Sequence, residues 1–164
     1  MTRAYAYAGE AIKDQALRYT GCGLDDVYLV NGYEVHDDTG YGAAVSVKDL
    51  DGLRRVIGGE LVKKRKFLKG KELRFLRTEM DLTQSDLGRL IGYSDQQVAR
   101  WEKDQSRIPS PANRMVRLLF REHLGNHGFS IRDMLDQLDR LDNTISDRQV
   151  FENAGRVWRA TAAG

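Results

Sequence analysis

The chain has 164 residues, 41% of them hydrophobic and 30% charged, enough for one domain or two small ones. Its single cysteine, Cys22, excludes an intrachain disulfide and a multi-cysteine zinc site, and reads as a small buried hydrophobe. The formal charge of +2 hides an asymmetry: residues 1–60 carry 6 basic and 10 acidic groups, residues 61–124 carry 15 and 8, and residues 125–164 carry 5 and 6.

No apolar run approaches the roughly 18 residues of a membrane span. The opening Met-Thr-Arg-Ala-Tyr lacks the charged-then-apolar layout of a signal peptide, so a cytoplasmic protein with no membrane partner is expected. Residues 1–16 show no clear periodicity, and Ala4 to Ala8 fit either a strand or a loose arm. Tyr19 lies in a short strand that Gly21-Cys22-Gly23 breaks, and Val27–Val30 is a β-branched and aromatic run. Asn31-Gly32 follows, the strongest two-residue hairpin signal, with Tyr33–His36 alternating as the return strand. Asp37 to Gly40 make a second turn, and Tyr41 to Val47 read as a third strand. Three strands form a meander that needs a helix across one face to fold securely. Lys48 to about Arg65 supplies it, with Leu50, Leu53, Val56, Ile57 and Leu61 at helical spacing around Gly58-Gly59. His36, Asp37 and Asp38 read as a polar turn, because no second group of ligands accompanies them.

Lys63, Lys64, Arg65, Lys66 and Lys69 form a basic run that fits either a solvated face or a hinge contacting phosphates. Lys71 to Asp81 is expected to be helical, with Leu73, Leu76 and Met80 inward. Thr83 caps the next helix, with Asp86 completing a capping box, and Leu87, Leu90 and Ile91 form its apolar stripe. Gly92 ends that helix and Ser94 caps another. This last helix is expected to bury Val98 and Trp101 and to show Asp95, Gln96, Gln97 and Arg100 on its opposite face. A thin apolar side and an amide- and guanidinium-rich side suit a helix read by the major groove of DNA. Ile108-Pro109-Ser110-Pro111 breaks the chain, and Ala112 to Leu124 form an amphipathic helix with Met115, Leu118, Leu119 and Phe120 as its inward candidates. Ser130 and Asp133 make a further capping box, and Ile131, Leu135, Leu138 and Leu141 continue as one stripe. Gln149–Glu152 and Arg156–Arg159 read as a terminal hairpin that packs on its own domain or on a second copy of the protein.

Catalysis has no visible machinery: there is no glycine-rich phosphate loop, no nucleophile arrangement and no metal-ligand spacing, and His36, His123 and His127 are scattered. No enzyme, no cofactor, no metal site and no catalytic residue is expected.

The run from Leu73 to Pro111, LRFLRTEMDLTQSDLGRLIGYSDQQVARWEKDQSRIPSP, resembles the Cro/XRE-type helix-turn-helix domain, over about fifty residues from Lys71 to Phe120. The resemblance implies a lambda-repressor-like all-α domain whose second motif helix enters the major groove, with two copies in a homodimer reading a palindrome on double-stranded DNA. Asp95, Gln96, Gln97 and Arg100 then face bases. Asp95 accepts from cytosine, orients Arg100 or Gln96, or serves as a favourable charge at the helix N-terminus. Thr83, Gln84, Ser94, Lys63, Lys64, Lys66 and Lys103 fall to phosphate, and Arg77 with Glu102 to a structural ion pair. Gly88 stands where the family has alanine. The layout of the whole chain further resembles antitoxins of the HigA/MqsA type, which implies a toxin or other regulator as a protein partner of the N-terminal module. The paired CxxC motifs that hold zinc in MqsA-type modules are missing, so no zinc role is carried over. The expected architecture is thus α+β: a small β-rich N-terminal module with a covering helix (1–62), the helix-turn-helix domain (63–124), and a C-terminal helix and hairpin (125–164) as candidate dimerisation element.

Overall fold

A computed structural model describes residues 16–36, 43–64, 67–125 and 149–161. Several sequence expectations lie outside these residues: the arm at 1–15, the turn at Asp37 and Asp38, Lys66, and the capping box and helix at 130–141. The backbone of Lys64 is described and its side chain is not.

The chain is α+β and divides into two compact units, residues 1–56 with 147–164 and residues 57–146. The first holds a four-stranded sheet in the order β1-β2-β5-β6, from β1 (Leu17–Arg18), β2 (Val27–Leu29), β5 (Gln149–Ala154) and β6 (Val157–Thr161). A separate antiparallel ribbon joins β3 (Tyr33–His36) to β4 (Ala44–Val47).

This sheet departs from the expected meander. β2 is antiparallel to β1, with Leu17 opposite Leu29, and parallel to β5, with Val27 opposite Gln149. Both edges of β2 are therefore filled, and β3 pairs with β4 instead. Val27, Tyr28 and Leu29 are all buried, as a central strand requires. Asn31-Gly32 does not turn β2 back on itself. The Asn153 N–H donates to Asn31 Oδ1, Val30 N–H to Phe151 O, and Lys48 N–H to Gly32 O, so the pair is held against the terminal hairpin. The hairpin β5–β6 is thus part of the N-terminal sheet, within the same chain. Its buried Trp158 donates Nε1–H to Lys48 O at 2.9 Å. Cys22 is buried, and burial pushes its thiol above the ordinary value.

Helix α1 (Leu50–Lys64) begins at Asp49, whose Oδ1 accepts from Gly52 N–H, and its residues fall partly in each unit. The second unit continues with α2 (Gly70–Glu79), α3 (Gln84–Ile91), α4 (Asp95–Glu102) and α5 (Ser110–His123). Its core gathers Leu73, Phe75, Leu76, Leu87, Val98, Trp101, Ala112, Val116 and Phe120. Two expected stripes turn out rotated. Leu90 is 50% exposed and Met115 43% exposed, while Leu118 and Leu119 are half-buried. On α5 the inward row is Ala112, Val116 and Phe120 at i, i+4 and i+8, joined by Asn113 and Arg117. The Arg117 guanidinium is buried, donating Nε–H to Asn113 Oδ1 at 2.8 Å and Nη1–H to Val62 O at 3.2 Å.

A candidate nucleic-acid interface on helix α4

Thr83 and Ser94 start the two motif helices. Thr83 Oγ1 accepts from Asp86 N–H at 3.0 Å and donates to Asp86 Oδ2 at 2.6 Å, while Thr83 N–H also reaches that carboxylate. This is a full capping box. The Thr83 hydroxyl, then its backbone N–H, hold the Asp86 carboxyl below its ordinary value. Ser94 Oγ accepts from Gln97 N–H at 3.2 Å. Between them Gly92 closes α3 at φ +80°, the left-handed conformation in which glycine meets no steric cost.

Gly88 has a different role. A Cβ at this position would lie 2.5 Å from Tyr93 O, and Tyr93 N–H donates to Gly88 O at 2.8 Å. The turn folds back onto α3 at this residue, so only glycine fits.

Trp101 and Val98 anchor α4 in the core, at 1% and 0% exposure, and Tyr93 packs edge-on against Trp101 with ring centroids 4.9 Å apart. The opposite face is open. Asp95, Gln96, Gln97 and Arg100 are exposed along it, as is Lys103 beyond the helix end. Gln96 and Arg100 lie four apart and so share one strip of the surface. Asp95 Oδ1 accepts from Gln96 N–H at 2.9 Å, which places its charge at the helix N-terminus.

Arg77 and Glu102 form the expected ion pair in bidentate form, Nε to Oε1 at 2.5 Å and Nη2 to Oε2 at 3.1 Å. Arg77 Nη1–H also donates to Leu82 O at 2.7 Å. Gln84 joins this pair: its Nε2–H donates to Glu102 Oε2 at 2.8 Å. The Gln84 amide and the Thr83 hydroxyl, both expected at phosphate, thus make internal hydrogen bonds here. Lys63 lies 4.0 Å from Glu60.

The geometry adds one contact that had not been singled out in the sequence. The Arg107 guanidinium lies over the Phe67 ring, 4.4 Å from its centroid. Its signal was an aromatic residue inside the basic run Lys63 to Lys71.

Two capped helices set around a tight glycine turn, the second with a buried tryptophan and an exposed polar row, agree with the comparison to known families. The helix-turn-helix family model matches residues 73–113. Over this segment, about a quarter of the chain, the sequence is similar to XRE-type helix-turn-helix domains. Domains of that family are DNA-binding modules of transcription regulators, and the match takes in α2 from Leu73 onward, α3, α4 and the first turn of α5. No curated protein and no solved structure matches the chain. Among the described residues, no helix is long and apolar enough to cross a membrane.

Proposed function

We propose that the chain is a sequence-specific repressor that binds a palindromic operator as a homodimer, each copy laying α4 in the major groove. One observation carries the reading: α4 is fixed by Val98 and Trp101 on one side and bears only exposed polar groups, Asp95, Gln96, Gln97 and Arg100, on the other. Arg100 bonds guanine O6/N7, and Gln96 bonds adenine N6/N7 beside it. Gln97 reads a further base edge, and Asp95 orients its neighbours from the helix N-terminus. Ser94, Lys103 and the basic run of Lys63, Lys64 and Lys66 meet phosphates. Gln84 does so through the backbone N–H that opens α3, since its side chain is engaged with Glu102, while Thr83, whose hydroxyl and backbone N–H both go to Asp86, sets the start of that helix beside the phosphate. Arg77 and Glu102 are structural. The dimer surface is assigned to the C-terminal residues 125–164, of which the stretch 130–141 lies outside the described residues. A cytoplasmic location goes with this function.

Selection of bound duplexes from a random pool tests operator and symmetry together. It is expected to return an inverted repeat with half-sites about 10 base pairs apart. Arg100→Ala should then lower affinity for the selected site by about 1–3 kcal/mol in a gel-shift titration, while sparing scrambled DNA. Equal binding of both sequences by wild type would refute the assignment.

A second reading assigns the N-terminal unit to a protein partner, an antitoxin arrangement in which DNA binding adjusts expression of the bound toxin. Its support is that this unit is compact in itself, apart from the helix-turn-helix segment. Because β5 and β6 complete its sheet, the bait for a pulldown is the full chain. Retention of the product of a neighbouring small gene is expected, and its absence would count against the reading.

A further inference from the structure

Glu102 ends α4, and beyond it the chain makes a short loop to Pro109 whose position is fixed at both sides. Asp104 N–H donates to Trp101 O and Gln105 N–H to Arg100 O, and Ile108 is buried. The start of α2 is pressed on this same place. A Cβ on Gly70 would lie 2.4 Å from Trp101 O, and Gly70 N–H donates to Asp104 Oδ1 at 2.8 Å. Just before α2, Leu68 is buried and Phe67 is partly exposed at 36%. The two segments therefore bring Phe67 and Lys69 beside Lys103 and Arg107, with the Asp104 carboxylate turned to the Gly70 amide. Among the described residues, no carboxylate forms an ion pair with Lys69, Lys103 or Arg107.

We propose that Phe67 holds the Arg107 guanidinium by stacking so that it clamps a DNA backbone phosphate just past the C-terminal end of α4, with Lys69 and Lys103 flanking. The geometry of the pair permits both interactions at once. A cation–π contact uses the face of the guanidinium, at 4.4 Å from the Phe67 centroid. Hydrogen bonds to phosphate use its edge, where the forked N–H groups match two oxygens. Stacking thus limits the guanidinium's freedom without occupying a donor. Phe67 is a positioning residue: it acts on DNA only through Arg107. The phosphate contact adds affinity and register and carries no base sequence.

This inference rests on the reading of α4 as the groove helix, and its test separates the two. Fluorescence anisotropy with the full chain is run against the selected operator duplex and a scrambled duplex, over a range of salt concentrations. Phe67→Leu keeps the apolar volume and removes the π face; it should weaken both duplexes alike, by about two- to fivefold. Arg107→Gln should also reduce the salt slope by about 1. Phe67→Tyr should retain wild-type affinity, and Phe67→Leu should have no effect when added to Arg107→Gln. Unchanged binding by Phe67→Leu overturns the clamp while the α4 assignment stands. So does an equal loss when Phe67→Leu is added to Arg107→Gln. A wild-type chain that binds neither duplex overturns both.

Discussion

The bidentate pair between Arg77 and Glu102 joins α2 to α4, and its removal gives a quantitative test of how the domain is held. The two side chains are only 12% and 5% exposed, so water screens them little. Arg77→Met deletes two charge-assisted hydrogen bonds to Glu102 and one to Leu82 O. It leaves the Glu102 carboxylate with the Gln84 amide as its side-chain partner in this network. Removing one partner of a buried pair costs about 3–5 kcal/mol, because the remaining charge stays desolvated. The partial exposure of Arg77 favours the lower end, about 3 kcal/mol. At about 2–4 °C per kcal/mol for a chain of this size, that loss lowers the unfolding midpoint by about 6–12 °C. Thermal unfolding followed by circular dichroism measures the shift, and urea unfolding the free-energy loss. The double variant Arg77→Met with Glu102→Leu removes both charges and should recover most of the loss, as apolar replacements of buried pairs do. An Arg77→Met variant within about 0.5 kcal/mol of wild type would refute the reasoning, since that is the range of an exposed pair.

Gly88→Ala should destabilise by about 1–3 kcal/mol despite alanine's better helix propensity, because the added Cβ meets Tyr93 O at 2.5 Å; urea unfolding reports it, and a stabilised variant would refute the close approach. The Asp86 carboxyl lies below its ordinary value through the Thr83 hydroxyl and backbone N–H, so it contributes stability above the unfolded value of 3.8 and loses it as pH falls through the folded one. Asp86→Asn should therefore be less stable than wild type at pH 7 and lose less between pH 5 and pH 2, read as the difference between two unfolding series across about that range. Truncation after residue 148 removes the strand parallel to β2 and should abolish the sheet of the first unit, read as loss of protection of the Val27, Tyr28 and Leu29 amides in hydrogen exchange.

What the sequence made legible is what local chemistry dictates. Thr83 with Asp86, Gly92, and Ser94 bound the motif helices because caps and left-handed glycines act within a few residues. Val98 and Trp101 were readable for a similar reason, being alone on an otherwise polar helix. Helix α5 has apolar residues on more than one side, so spacing favoured Met115 although the neighbouring helices cover Val116. The buried Arg117 was hidden by its charge: its burial depends on Asn113 and on Val62 O, a carbonyl far away in the chain. Gly58 weakened the reading of α1, yet it marks where the Phe120 ring comes within 2.2 Å of a would-be Cβ. The parallel pairing of β2 with β5 was least legible of all. It joins Val27 to Gln149, a separation at which no turn rule operates, and it consumed the edge that Asn31-Gly32 was expected to pair with β3.

The Glu102 carboxylate connects these observations to the proposed reading of DNA. It lies two residues after Arg100, and it receives Arg77 from α2 and Gln84 from the first turn of α3. The three helices therefore fix the orientation of α4 at one buried charge, close to where Arg100 leaves the surface. A phosphate that bound the Gln84 amide would have to take it from Glu102, exchanging one anionic acceptor for another. Arg77 would still neutralise Glu102 during that exchange, so the aim of α4 would not depend on it. Gln84→Ala should accordingly leave the unfolding free energy within about 1 kcal/mol of wild type, since it removes one hydrogen bond from a carboxylate that keeps its cation. If it also leaves operator affinity unaltered, the glutamine is an internal brace; a loss of affinity without a loss of stability assigns its amide to DNA.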